Sequence, residues 1–300
     1  MAIDLDHLRR WIGKTEELRD QATAAPIACL AATLDRDDAE PEPGDAVPPG
    51  GHWLYFLPRT RQSDLDRNGH ARKGGFLPPV PLERRMWAGG RIVFKSPLRI
   101  GDAIHRRSEI ADVSLRDGGS GQLVFVLVKH TVSGPDGVAI EEEHDIVYRG
   151  APAPGVYRGP AAPGAAGAAA KTAAPADPPW RRQVTPDIVL LFRYSALIFN
   201  GHRIHFDRDY VTKEEGYPGL IVHGPLIATL LMDLCRRQAP EKTMTRFAYR
   251  ARSPLFEPNP FTLAGAPAAD GGGAKLWAID HRGGVAMTAE AEFAAGRQGS

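Results

Sequence analysis

Residues 192–237 read FRYSALIFNGHRIHFDRDYVTKEEGYPGLIVHGPLIATLLMDLCRR, and this stretch organises the rest of the chain. Its first piece, Phe192–His205, gathers Tyr194, Asn200, His202 and His205 among apolar neighbours. A charged piece follows and closes at Tyr217-Pro218-Gly219, a turn signal. The third piece is an amphipathic helix pattern entered through His223-Gly224-Pro225. Proline is tolerated there because its missing N–H would have no helical partner anyway. Leu226, Ile227, Leu230, Leu231 and Leu234 form the apolar stripe, with Thr229, Asp233 and Arg237 opposite. Free amides at such a helix mouth, next to a polar cluster, suit a developing oxyanion.

The chain has 300 residues, 37 basic and 36 acidic side chains and a formal net charge of +1. Mixed charge argues against nucleic-acid and membrane surfaces as partners. Cys29 and Cys235 give neither a disulfide framework nor a CxxC pair, and a cytoplasmic setting is expected. The N-terminus carries early acids and no apolar core of a secretory signal. Residues 219–235 fall short of a membrane span and contain Asp233.

Asp4–Asp20 has a helical spacing of Leu5, Leu8, Ile12 and Leu18. Residues 58–82 show no period and predict an irregular loop beside a pocket. Strands are expected at 91–95, 103–111, 122–132 and 138–148, then at 246–252, 261–265, 274–281 and 285–293. Within 151–179, 23 residues are Ala, Pro or Gly, too few apolar contacts to offset ordering entropy. We therefore divide the chain into 1–150, a linker 151–182, and 183–300. The halves rhyme: Ser96-Pro97-Leu98 and Ser253-Pro254-Leu255 each precede a turn and three strands, which indicates a degenerate duplication.

Residue types alone leave several readings of Asn200–His205 open: a capped turn with satisfied histidines, a metal site, or catalysis. His202 and His205 lack the further ligands a zinc site needs, so no metal is expected. His223 reads as a structural cap or a substrate contact, and Glu141–Glu143 with His144 as a solvated face.

The stretch resembles the active-site segment of the MaoC-like, hydratase-2 type enoyl-thioester hydratases. That pattern runs from an aromatic residue through Ser-Gly-Asp-x-Asn-Pro-Ile-His to an apolar helix entered by His-Gly. Ile204-His205, His223-Gly224 and Tyr194 fall on it. Pro78–Leu82, Arg84–Gly90 and Asp145–Arg149 resemble the first half of two-part members, which include mesaconyl-CoA and itaconyl-CoA hydratases and 3-hydroxyacyl-thioester dehydratases. The resemblance implies an α+β tandem hot-dog fold, each curved antiparallel sheet wrapped on a helix, with catalysis in the second half. It implies a hydro-lyase acting on an acyl-CoA, with no cofactor beyond the coenzyme A of the substrate. His205 is then the acid–base group and Gly224 the oxyanion donor. The sequence departs from the pattern at Asn200, where the family has Asp, and at His202 and Arg203, where it has Asn and Pro. Asn200 cannot act as a base, though its carbonyl can orient water, and His202 is the candidate to share the work. Tyr194, Arg203, Arg250 and His223 are the expected substrate contacts. A short dicarboxyl-CoA is the first expectation and a (3R)-hydroxyacyl-ACP dehydratase the second; an arginine in a closed pocket favours the former, a long apolar tunnel the latter. A non-catalytic acyl-thioester-binding module is the contrasting alternative, motivated by Asn200. A tandem of two such units is a pseudo-dimer in one chain, and a homodimer of tandems stays open.

Overall fold

A computed structural model describes residues 3–118, 121–150 and 174–294. The first half contains α1 (Leu5–Arg9), β1 (Thr15–Gln21), α2 (Ala24–Thr33), β2 (Arg84–Phe94), β3 (Ala103–Gly118), β4 (Gly121–Gly134) and β5 (Gly137–Arg149). The second contains β6 (Trp180–Val184), α3 (Ile188–Leu197), α4 (Gly224–Gln238), β7 (Met244–Ala251), β8 (Phe261–Pro267), β9 (Gly273–Ile279) and β10 (Val285–Phe293).

All ten strands join one antiparallel sheet in the order β1-β3-β4-β5-β2-β7-β10-β9-β8-β6. Read outward from the central β2–β7 pair, the two arms carry the same order of connection. The duplicated Ser-Pro-Leu stretches repeat even their hydrogen bonds. The Lys95 and Ser96 amides both donate to Ala139 O on β5, as the Arg252 and Ser253 amides donate to Ala286 O on β10. The fold is the expected α+β tandem hot dog.

Helix α4 is the long central helix. Its stripe is fully buried, and so are Thr229 and Asp233, which the helical pattern put opposite that stripe. Asp233 is held there by three guanidiniums: Arg36 at 2.8 Å, Arg182 at 2.9 Å and Arg237 at 2.7 Å. Arg36 comes from the first half, so this carboxylate ties the halves together. One apolar core joins them as well, with Ile92, Val132 and Ile140 packed in the same cluster as Leu226, Leu230 and Phe247.

Several expectations need correction. Asp4–Asp20 is a one-turn-plus helix followed by edge strand β1, because seven residues of TEELRDQ pair with β3. The expected linker 151–182 overlaps β6, which already starts at Trp180; residues 151–173 lie outside the described residues. Gly224 is the first helical residue and Pro225 the second. No helix among the described residues is long and apolar enough to cross a membrane.

Candidate active site

The candidate catalytic segment begins where α3 ends. Phe199 takes a left-handed conformation, φ 48°, usually left to glycine. Its amide donates to Ala196 O at 3.2 Å and the Asn200 amide to Ser195 O at 2.8 Å, the paired bonds of a helix-ending Schellman turn. The Asn200 carbonyl then accepts the His202 amide at 3.0 Å. A 3-10 turn, Arg203–His205, delivers the His205 ring inward.

Two rungs fix that ring. The Ile221 amide donates to Ile204 O at 3.0 Å, and the His205 Nδ1–H donates to Ile221 O at 2.7 Å. The second bond sets the tautomer: Nδ1 carries the proton and Nε2 keeps its lone pair. His205 is 7% exposed, and burial lowers its pKa to about 4, the Ile221 carbonyl opposing that fall. The ring is therefore neutral at pH 7. His223 stacks on it, centroids 3.6 Å apart, and is itself fully buried with Nε2 2.8 Å from Ser195 Oγ. Burial keeps His223 well below the usual histidine range too.

His205, His202, Asn200 and Gly224 all line one cavity of about 1400 Å³ between the halves. Gly224 opens α4 directly after the stacked His223. Its φ is not left-handed, and a Cβ built on it would meet only Trp87 Cβ and O, both at 4.0 Å. No strain and no clash demands glycine here, so the missing side chain leaves room in the cavity wall.

The expected substrate contacts fare differently. Tyr194 is sealed in the core, its hydroxyl 3.2 Å from Thr229 Oγ1. His223 is behind His205 and is not among the cavity-lining residues. Arg250 is exposed on β7 and points away from the cavity wall. Arg203 is engaged by Asp207 at 2.8 Å and lies over the Tyr210 ring. Its real work is local: the Arg203 amide donates to Asn68 O at 3.0 Å and its guanidinium to Arg67 O at 3.2 Å. These bonds stitch the first-half loop 66–70 onto the Asn200–His205 segment.

That loop brings His70, which sequence reasoning had not singled out. Its ring lies 4.0 Å from that of His202. Arg84, Arg85, Trp87, His144 and Arg149 complete the first-half wall. His144 and Glu142 are no solvated face. Glu142 is buried and accepts from Trp53 Nε1 at 2.8 Å, from His52 Nε2 at 3.1 Å and from His144 Nε2. Strand alternation gives the signal: Glu142 faces opposite to Glu141 and Glu143. Among the described residues no cluster of three or more His, Cys, Asp or Glu is arranged to hold a metal ion.

The hydroxyacyl-thioester dehydratase type 2 family matches residues 50–257. The chain belongs to this family. It is 44% identical over 265 residues to mesaconyl-C(4)-CoA hydratase of Chloroflexus aurantiacus, covering 87% of this chain and 89% of that protein. It is 28% identical over 280 residues to the mitochondrial hydroxyacyl-thioester dehydratase type 2 of Schizosaccharomyces pombe, covering 82% and 88%. Among solved structures, a MaoC-like dehydratase from Phytophthora capsici matches 99% of this chain and 100% of its own, with a TM-score of 0.70 at 12% identity. A Mycobacterium tuberculosis protein described as a double hot dog matches 94% and 96%, with a TM-score of 0.55 at 15% identity. These two likenesses bear on the fold alone. The family membership makes the chain a hydro-lyase of the hydratase/dehydratase type.

Proposed function

We propose that the enzyme adds water to, or removes it from, a short dicarboxylic enoyl-CoA of the mesaconyl type, with His205 and Gly224 as the central pair. The observation that carries this reading is the tethered, neutral His205 in the same cavity wall as the open Gly224 helix mouth. Hydration of an α,β-unsaturated thioester needs three things: a base for water, an acid for the α-carbon, and a donor for the enolate oxygen. His205 Nε2 takes a proton from water as the oxygen attacks the β-carbon. The resulting imidazolium returns that proton to the α-carbon as the enolate collapses, so the ring ends neutral. The Gly224 N–H, at the positive end of α4, donates to the thioester oxygen as charge builds there.

Asn200 orients rather than ionises. Its carbonyl already accepts the His202 amide, and one lone pair remains for water. His202 is also held well below the usual histidine range, by burial first and then by the His205 and Arg85 fields. It is thus a neutral polar neighbour and not a second charged acid. The cavity exceeds a four-carbon acyl group, and the surplus holds the pantetheine arm of coenzyme A. Arg252, exposed on the wall with no ion pair among the described residues, suits the phosphates of the carrier. The 44% identity to a mesaconyl-C(4)-CoA hydratase favours the dicarboxylic substrate over a long acyl-ACP. We place the enzyme in the cytoplasm.

The test is a panel of enoyl-CoAs offered to the purified protein, followed by loss of enoyl absorbance. Turnover fastest with carboxylated four- and five-carbon chains is expected. Binding without turnover of any member would instead make the chain a thioester-binding module.

A further inference from the structure

Four arginines line the cavity, and their partners and positions sort them. Arg84 is spent: Glu215 Oε2 lies 3.0 Å from its Nε, and Tyr217 accepts from it at 3.1 Å. Arg149 has no carboxylate partner among the described residues, but it stands directly across from Arg84 in the β2–β5 register and donates to that same Tyr217 hydroxyl at 3.1 Å, so its position and not its partners sets it apart from Arg85. Arg252 is exposed. Arg85 is half-buried, and its partner is neutral. Its Nη2 donates to His70 Nδ1 at 2.7 Å, and Tyr148 lines the same small recess beside it. Among the described residues no carboxylate pairs with it. A guanidinium withdrawn from water without a counter-charge is costly unless an anion arrives.

Its position is specific as well. Trp87, the residue facing Gly224, stands two places further along β2, and both side chains line the cavity. Two residues of strand span about 7 Å. With the thioester oxygen at Gly224, the far end of a four-carbon acyl chain falls within reach of the Arg85 fork. The Arg85–His70 bond adds a second donor. Because His70 Nδ1 accepts from Arg85, its proton sits on Nε2, in a ring that packs 4.0 Å from that of His202. Burial and the Arg85 charge hold His70 well below its ordinary range, so that tautomer persists at neutral pH.

We propose that Arg85, oriented by His70, binds the free carboxylate of the substrate and selects dicarboxylic over monocarboxylic acyl-thioesters. This rests on the hydratase reading above for its catalytic arm, while its binding arm does not. The first half then does more than shape a tunnel: it supplies the group that distinguishes substrates, and the second half supplies the chemistry.

The experiment compares wild type, Arg85→Gln and Arg85→Lys. The first arm measures kcat/KM for mesaconyl-C(4)-CoA and for 2-butenoyl-CoA, which lacks the carboxylate. Truncating one member of a buried charge pair predicts a fall of roughly a hundredfold in the ratio of the two for Arg85→Gln. Arg85→Lys keeps the charge and loses the fork, and recovers part of the ratio. The second arm measures calorimetric binding of succinyl-CoA and butyryl-CoA, neither of which reacts. Wild type prefers succinyl-CoA, and Arg85→Gln binds the two alike. A ratio and a binding preference both unmoved by Arg85→Gln, in protein with the wild-type melting temperature, overturn the proposal. If no enoyl-CoA is hydrated by the wild type, the hydratase reading fails, and the calorimetric arm still decides the carboxylate site.

Discussion

Gly224→Ala separates a catalytic glycine from a merely structural one. The backbone there is not left-handed, and the added methyl would sit 4.0 Å from Trp87, an ordinary contact. Stability should therefore hold or rise, since Gly→Ala at a compatible helical site gains up to about 1 kcal/mol from the unfolded chain. On the proposed reading the methyl crowds the approach of the thioester oxygen to the Gly224 N–H, since it projects into the cavity wall. Losing one oxyanion donor costs roughly a hundred- to a thousandfold in kcat. The assay pairs initial rates of hydration at saturating enoyl-CoA with a thermal melt. A melting temperature at or above wild type together with a kcat lowered a hundredfold is the expected outcome. Wild-type kcat in a normally folded variant would refute the helix mouth as the oxyanion site.

Other consequences follow from burial and charge. His205 has its pKa lowered to about 4, so its basic form is present at all pH values above that. The acid limb of kcat/KM should bend near pH 4 and not near the unperturbed 6.5; a half-fall near 6.5 in rapid pH-jump assays would mean a solvated ring. Asp233→Asn removes a carboxylate shared by Arg36, Arg182 and Arg237. The unfolding free energy in urea should drop by about 3 kcal/mol, since Arg182 and Arg237 lose the one carboxylate they pair with among the described residues, while Arg36 keeps Asp38 at 2.7 Å. A loss under about 1 kcal/mol would show that solvent compensates them.

The sheet was legible wherever alternation was strong. Val285–Phe293 reads inward and outward by turns, and β10 occupies those same residues. Strand β1 was not legible, because TEELRDQ holds a single apolar residue and pairs at an edge, where the backbone ladder and not side-chain burial fixes it. Strand β6 hides at the end of an Ala/Pro-rich stretch. That Asn200, His202, His205 and Gly224 would meet at one cavity was legible because they share one short segment and its helix. His70, Arg85, Trp87 and His144 were not. They stand some 60 to 135 positions earlier, and they reach the cavity through the β2–β7 pairing and through a loop whose docking no local pattern encodes. Arg203 was misread although its partner was in view: Asp207 stands four residues on, at salt-bridge spacing. Tyr194 and Arg250 show that residue type does not tell which way a side chain faces, one turned into the core and the other to solvent.

The central claim is that a single neutral imidazole moves the proton between water and carbon. The most direct measurement is single-turnover hydration of mesaconyl-C(4)-CoA at pH 7 by His205→Gln, whose amide keeps polarity but accepts no proton from water. The account predicts a rate lowered at least a hundredfold with substrate still bound; a rate within a fewfold of wild type would contradict it.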